Sequence, residues 1–442
     1  MMKAEFFLTA RGCIGTYQIH GLKLRATTKY SVPLPSSEIR AMPGNERNYI
    51  LFDDLHRDHL LPFAFIRPVA EIRLGILTIR EKWERWTGHQ FSHLTQDYLQ
   101  EKYPLVIGDE NMLINSAVTP NAELVQEISS LNRGEVLVKE NVLVAACLDR
   151  TSMENFNKEI PEGYTVKIAQ SGFLHIAKLW NLFRNNGQEL LSDYGIITAA
   201  RDSQPLSATN NLINPGNIFL EEGAKVEYTT INAATGPVYI GRNAEIMEGA
   251  LIRGPFAICE GGIIKMGARI YGPTTVGPYG KVGGEVTNSV IMGFSNKVHE
   301  GYVGNSVIGE WCNIGAGSNC SNLKNNYTLI KLWNYALGRE EETGLQFCGL
   351  FMGDYSRCGI NTMFNTGTVV GVSANIYGSG FPGSFIPSFS WGGAAGFETY
   401  RLGKALETIQ TGLTLRQLEI TEIDRKIINK VFALTGRYRK SV

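Results

Sequence analysis

Ile240, Ile246, Ile252, Ile258, Ile264, Ile270, Val276 and Val282 stand six residues apart. Ile and Val make up roughly one residue in seven of this region, so eight such hits in series have a chance probability on the order of 10⁻⁷ before choice of phase. A helix repeats every 3.6 residues and a strand every two, and neither period gives six. The ladder changes phase after Val282 and resumes at Tyr302, Ile308, Ile314 and Cys320. It breaks over an insertion from Leu323 to Phe347, then returns at Met352, Cys358, Phe364, Val370 and Ile376. Such a pattern predicts a parallel β-helix with three short strands per coil of ~18 residues, rung residues pointing inward and coils ~4.8 Å apart. Gly241, Gly277, Gly283, Gly309, Gly315, Gly353, Gly359 and Gly371 follow rungs, and are expected to supply corner angles that other residues resist. The chain's 48 Gly thereby find a reason, since about two-thirds of them fall between Asn211 and Gly392.

The rest of the chain divides around this repeat. Residues 1–47, with Pro33, Pro35, Pro43 and no sustained period, read as a loosely ordered extension. Residues 48–210 alternate short apolar runs with helical spacing, which predicts an α/β layer fold. Strands are expected at Tyr49–Phe52, Leu105–Ile107, Val136–Val138 and Val142–Ala145, and a helix over Glu71–Trp86 through Ile72, Ile76, Ile79 and Trp83. Residues 211–392 are the β-helix. Residues 393–442 return to helix formers and are expected to form one or two amphipathic capping helices.

Lys+Arg and Asp+Glu both number 42, so the chain has no excess charge with which to hold a polyanion or an anionic membrane surface. Seven Cys without a C-x-x-C pair fit a reducing compartment better than a disulfide framework, and no apolar run reaches the ~18 residues of a membrane span. The expectation is a cytoplasmic protein that binds neither nucleic acid nor membrane.

His299 is the one His of the repeat region, and it sits where the rung phase breaks. Glu285 lies 14 residues before it and Asn313 14 after, while Asn322 follows Tyr302 by 20. With ~18 residues per coil, these groups fall on adjacent coils. In the amino-terminal region, Asp53 and Asp54 end a strand and are candidate Mg²⁺ ligands. His56 and His59, three apart, have no evident third metal ligand and are expected in a solvated loop. His89, His93 and His175 carry no functional expectation.

The run from His299 to Ser318, H-x-x-Y-[ILV]-G-x-x-x-I-G-x-x-x-N-[IV]-G-A-G-[ST], with Asn322 four residues on, resembles the acetyltransferase domain of the bifunctional UDP-N-acetylglucosamine pyrophosphorylase/glucosamine-1-phosphate N-acetyltransferase family. The whole chain is most similar to its divergent Bacteroidetes-type branch, through Asn48–Asp54 and Arg67-Pro68-Val69-Ala70. The resemblance implies a shortened sugar nucleotidyltransferase domain, a left-handed hexapeptide-repeat β-helix with C-terminal helices, and a homotrimer with sites between subunits. It further implies sugar phosphate, nucleoside triphosphate and acetyl-CoA as ligands, with Mg²⁺ serving the nucleotidyl transfer. By position, His299 matches the general base that deprotonates the sugar amine and Glu285 the carboxylate that orients it. Arg269, Tyr302, Asn313 and Asn322 match the amino-sugar site, and Ala316 the acetyl-CoA groove. The family's sugar-site Lys falls on Thr287, which leaves Lys297 or Lys324 as substitutes, and Ile270-Tyr271 stand where the family has Pro-Gly. Arg67, Asp53 and Asp109 are the nucleotide-site candidates, although the stretch after Leu51 has no Gly-rich phosphate loop.

The residue types suit the chemistry. An imidazole, with an ordinary pKa near 6.5, can take the proton of an amine attacking a thioester. A carboxylate on its other nitrogen would fix the tautomer. Two further readings stand beside this one: a nucleotidyltransferase whose β-helix is only a trimerisation scaffold, and a non-catalytic trimer that binds sugar nucleotides for regulation.

Overall fold

The computed structural model describes residues 47–439, together with the backbone of a short ladder, Gln18–Ile19 against Leu22–Lys23. Apart from that ladder and its last residue, the expected extension lies outside the described residues.

The amino-terminal domain is built on a six-stranded mixed sheet in the order Ser92–Leu94, Asn48–Phe52, Glu110–Asn115, Val142–Asp149, Glu135–Lys139, Thr165–Ile168. The first three strands are parallel, and Val142–Asp149 runs against both its neighbours. Two sequence expectations fail here. Leu105–Ile107 is not a strand, and Val106 is 55% exposed. The neighbouring strand starts instead at Glu110, where Met112 and Leu113 bury opposite faces of the sheet. The helix expected over Glu71–Trp86 is confined to Ile79–Thr87. Thr78 caps it, accepting from the Glu81 N–H while Glu81 reaches back to the Thr78 N–H. This reciprocal box sets a fixed start that apolar spacing alone does not reveal.

The β-helix has three sheets. One holds nine parallel strands from Ile218–Leu220 to Phe385–Ile386. The second runs from Lys225–Val226 to an antiparallel end pair, Ser390–Gly393 with Gly396–Thr399. The third runs from Asn211–Ile213 to Tyr302–Gly304, and Asn319–Cys320 paired with Met363–Phe364 carries it on past the insertion. Ile240 lies opposite Ile258 and Ile258 opposite Val276, so the six-residue ladder is one core column per sheet. All of these rungs are buried.

The phase change has a local origin. Val282 is followed by the next inward residue, Val286, after only four positions, because the corner there is just Gly283-Gly284. With one further residue lost between Val286 and Ile291, Val276 pairs with Ile291, a step of 15 residues rather than 18. On the coil after that, the inward residue is Val303; Tyr302, expected as a rung, faces outward opposite Glu285.

The glycines after rungs serve a purpose different from the expected one. A Cβ on Gly309 would lie 2.9 Å from the Met352 carbonyl and from the Asp354 N–H nitrogen of the next coil, so the requirement there is close approach of backbones. Left-handed angles at the same edge fall two residues later, on Tyr279, Phe294, Trp311 and Tyr355, all with φ between 56° and 62°. Stacking offsets the strain of these bulky residues: Phe294 lies flat against Trp311 at 4.3 Å and against Tyr279 at 5.2 Å.

The insertion is closed by a bridge between Leu323 and Phe347 and contains a hairpin, Lys331–Asn334 with Arg339–Glu342. Its tip grips the amino-terminal domain: Lys178 Nζ is 2.5 Å from Glu341, and Asn334 Nδ2 is 2.8 Å from His59 Nδ1. Helices Leu402–Thr414 and Glu422–Leu434 do not cap the coil end. They lie along the flank, where Arg357 reaches the Thr408 carbonyl, Arg416 reaches the Tyr279 carbonyl and Lys102 pairs with Asp424. One apolar core therefore joins residues of the sheet, the β-helix and both helices, including Leu51, Phe351 and Ile427.

Candidate functional site

His299 lies on the corner Val298-His299-Glu300-Gly301, between Asn296–Lys297 and Tyr302–Gly304. The corner of the preceding coil is the two-residue Gly283-Gly284, which carries no side chains, and His299 is exposed beside it. Lys297 occupies the rung position between Val282 and Ile314 and is buried. Its ammonium turns back to donate to the His299 carbonyl at 2.6 Å. Burial pushes Lys297 down to about 8 against the opposing pull of Glu300. Lys297 thus pins the corner from inside and does not face the outer surface, so it is not the substitute sugar-site Lys. Lys324 opens the insertion and donates to the Leu329 carbonyl at 3.2 Å.

Gly284 is fixed by this arrangement. It has φ +67°, and a Cβ there would stand 2.7 Å from both the His299 carbonyl oxygen and Lys297 Nζ. Gly284→Ala is expected to cost more than the ~1–2 kcal/mol of a left-handed alanine alone. Calorimetry would read this as a clear loss of Tm; an unchanged Tm would show that the corner yields freely.

The outward face of the third sheet carries a polar strip. Tyr271 Oη donates to Glu285 at 2.6 Å, and Arg269 pairs with Glu300 at 2.7 Å, its Nε 3.9 Å from Glu285. Asn322 donates to Tyr302 Oη at 2.9 Å and to Asn305 at 2.7 Å. Burial pushes the Tyr302 phenol up to about 12. Within one chain, therefore, Glu285 is held by Tyr271 rather than by His299. Tyr271, which stands where the resembled family has Gly, is a further candidate that sequence spacing did not single out; its position two residues from Arg269 on the same strand was the available signal. Asn313 pairs with Asn296 on the second sheet, around the corner from Tyr302 and Asn322. Ala316 lies on the same corner as His299, one coil on, with the Gly317 N–H donating to the Glu300 carbonyl.

The amino-terminal candidates do not form one site. Asp53 is fully buried and its oxygens are already used, accepting from the Val69 N–H, Ser116 Oγ and Thr95 Oγ1 at 2.6–2.9 Å. Arg67 is a strut between domains, buried against Asp354 at 2.8 Å and Glu310 at 3.0 Å. Asp109 precedes the strand Glu110–Asn115, whose start lies beside Asn48 and whose end lies beside Phe52. It sits at the opposite edge of the sheet from Asp53, with a 91% exposed side chain. None of the three is placed to share a nucleotide with the others.

Asp54 differs. Its Oδ1 accepts from the His56 N–H at 2.9 Å, while its Oδ2 is 3.0 Å from His56 Nδ1, 3.2 Å from His175 Nε2 and 3.1 Å from Asn115 Nδ2. Burial works to raise its pKa, but the hydrogen bonds from His175 and Asn115 prevail and hold it down at about 2. Asp54 stands at the C-terminal edge of the parallel strands, where open α/β sheets place ligands. His175 arrives through a bridge to Val118, so no local spacing could have linked it to His56. Magnesium prefers an octahedron of oxygens, and this set of two imidazoles and one carboxylate does not fit it.

Residues 49–202 match a family described as sugar nucleotidyl transferase. That match spans the amino-terminal domain. The chain is 34% identical over 175 residues to a bifunctional sugar-1-phosphate nucleotidylyltransferase/acetyltransferase of Sulfurisphaera tokodaii, which covers 38% of this chain and 41% of the relative. It is 25% identical over 183 residues to the bifunctional protein GlmU of a Cyanothece species, covering 36% and 39%. The chain thus spans about two-fifths of the length of these curated relatives. Among solved structures, the UDP-N-acetylglucosamine acyltransferase of Francisella novicida aligns with 52% of this chain and 88% of its own, at 12% identity and a TM-score of 0.27. The polysialic-acid-specific acetyltransferase NeuO aligns with 43% and 82%, at 13% identity and a TM-score of 0.23. Among the described residues, no helix is long and apolar enough to cross a membrane.

Proposed function

We propose that the chain is a sugar-phosphate transferase whose β-helix acetylates an amino sugar with acetyl-CoA, within nucleotide-sugar (UDP-N-acetylglucosamine-like) biosynthesis. The observation that carries this reading is the exposed His299, on a corner pinned from beneath by Lys297 and left uncovered by Gly283-Gly284. In the reaction, the amine attacks the thioester carbonyl and His299 accepts its proton. The C–S bond then breaks, the imidazolium gives that proton to the leaving thiolate, and CoA departs as a thiol with the sugar left as an amide. Tyr302, Asn322 and Arg269 would hold the sugar phosphate. Ala316, with Gly315 and Gly317, leaves room along the corner for the pantetheine arm. Glu285 would position the site through Tyr271 and Arg269. The amino-terminal domain is read as handling the nucleotide from its family match, without Arg67, Asp53 or Asp109.

The test is turnover of acetyl-CoA with glucosamine 1-phosphate, followed as free thiol. Failure of that amine and of other amino-sugar phosphates would sink the reading.

Association as a homotrimer belongs to the same proposal. Ile213, Leu251 and Tyr271 on the outer face of the third sheet are 51%, 50% and 40% exposed, an apolar cost that a second copy would relieve. Sedimentation equilibrium should give three times the chain mass, and a monomer at micromolar concentration would count against sites shared between subunits.

A further inference from the structure

Asp54, His56 and His175 come from two segments far apart in sequence, yet their ligand atoms all lie within 4.8 Å of one another. The two imidazole rings are 5.1 Å apart and nearly perpendicular, at 87°. They approach one carboxylate oxygen from different directions and do not stack. His59 is close, its ring 6.1 Å from His56, but its Nδ1 is engaged by the Asn334 amide.

The support around the cluster is that of a ligand set held in place. The His56 N–H occupies Asp54 Oδ1 and leaves Oδ2 to face the imidazoles. Asn115 Nδ2 donates to Oδ2 and to the Leu143 carbonyl at 3.0 Å, while Asn115 Oδ1 accepts from the Ala117 N–H at 2.9 Å. The Asn115 side chain is thereby locked from both ends. Outer-shell partners of this kind orient metal ligands. The side chains of Asp54 and His175 are 8% and 17% exposed and that of His56 is 45% exposed, so the cluster opens to solvent on one side only.

Two imidazole nitrogens and one carboxylate oxygen suit zinc and its first-row neighbours, not magnesium or calcium. Three protein ligands leave a coordination position free. We infer that Asp54, His56 and His175 bind a divalent first-row transition ion at the C-terminal edge of the amino-terminal sheet, with an open position for water or an oxygen ligand. The site is separate from the His299 corner, and its test does not depend on acetyl transfer.

The full chain, stripped with chelator, is titrated with Co²⁺ and followed by visible absorption. One equivalent should produce a d–d band that Zn²⁺ abolishes and that a hundredfold excess of Mg²⁺ leaves intact. His56→Gln and His175→Gln should each remove the band, while His89→Gln, whose ring stacks on Tyr49 at 4.1 Å, should keep it. Asn115→Ala should weaken binding by the ~10–100-fold typical of a lost outer-shell partner. Circular dichroism checks that each variant folds; the half-exposed His56 keeps the test available if His175→Gln does not. The inference is overturned if the stripped protein takes up no Co²⁺ stoichiometrically, if the band survives in folded His56→Gln, or if Mg²⁺ displaces the ion.

Discussion

His299→Ala is expected to lower kcat for acetyl transfer by ~10²–10⁴-fold, the range for loss of a positioned general base. The KM for acetyl-CoA should change little, because the arm of the thioester would lie along Ala316 and the flanking glycines. The substitution is safe for the fold: the side chain is exposed, and Lys297 binds the backbone carbonyl, which alanine retains. Tm should therefore hold while kcat falls. Added imidazole should restore part of the rate if the lost group is a base. Full turnover in the variant would remove His299 from the chemistry and place the base on another residue.

Arg67→Met is expected to have the largest effect on stability. Arg67 and Asp354 are both buried, in different domains, 2.8 Å apart. Removing one partner of a buried pair leaves an uncompensated charge and costs about 3–5 kcal/mol. Burial already raises the Asp354 pKa against the pull of Arg67. Without the guanidinium it should rise further above the unfolded value, so the folded variant takes up a proton that the unfolded chain releases. The Tm deficit should thus be full at neutral pH and shrink as pH falls through the raised pKa. A deficit that is small, or constant with pH, would show that the pair is not what joins the domains. Because the same residue was a nucleotide candidate by sequence, the experiment also separates the two roles: a nucleotide contact would alter binding at constant Tm.

What could be read from the sequence depended on the range of the interactions involved. The six-residue ladder is local, so Ile240 to Val282 reveal both the architecture and the inward face. The start of the helix at Ile79 was also local but lay in the polar letters Thr78 and Glu81 rather than in the apolar spacing. Arg67 beside Pro68 read as a phosphate contact because its partners, Glu310 and Asp354, are more than 240 residues away. The pairing of His175 with His56 is hidden for the same reason. Lys297 was legible as a cation but not as an inward one, because the shortened corner at Gly283-Gly284 moves the ladder by a fraction of a period. Once that corner and the five-residue step from Val286 to Ile291 are counted, position 297 falls on the rung column with Val282 and Ile314.

The uneven coil lengths bear on which changes of chain length the protein can absorb. Where Ile240, Ile258 and Val276 succeed one another at 18 residues, a whole coil can be duplicated or deleted and every remaining rung meets an equivalent neighbour. Around His299 the steps are 15 and 17, set by Val276 to Ile291 and Ile291 to Ile308. A duplicated coil there would bring a second short corner or cover the first. Length variation among natural relatives should accordingly collect between residues 240 and 276 or inside the hairpin arm, and spare the interval from 277 to 322.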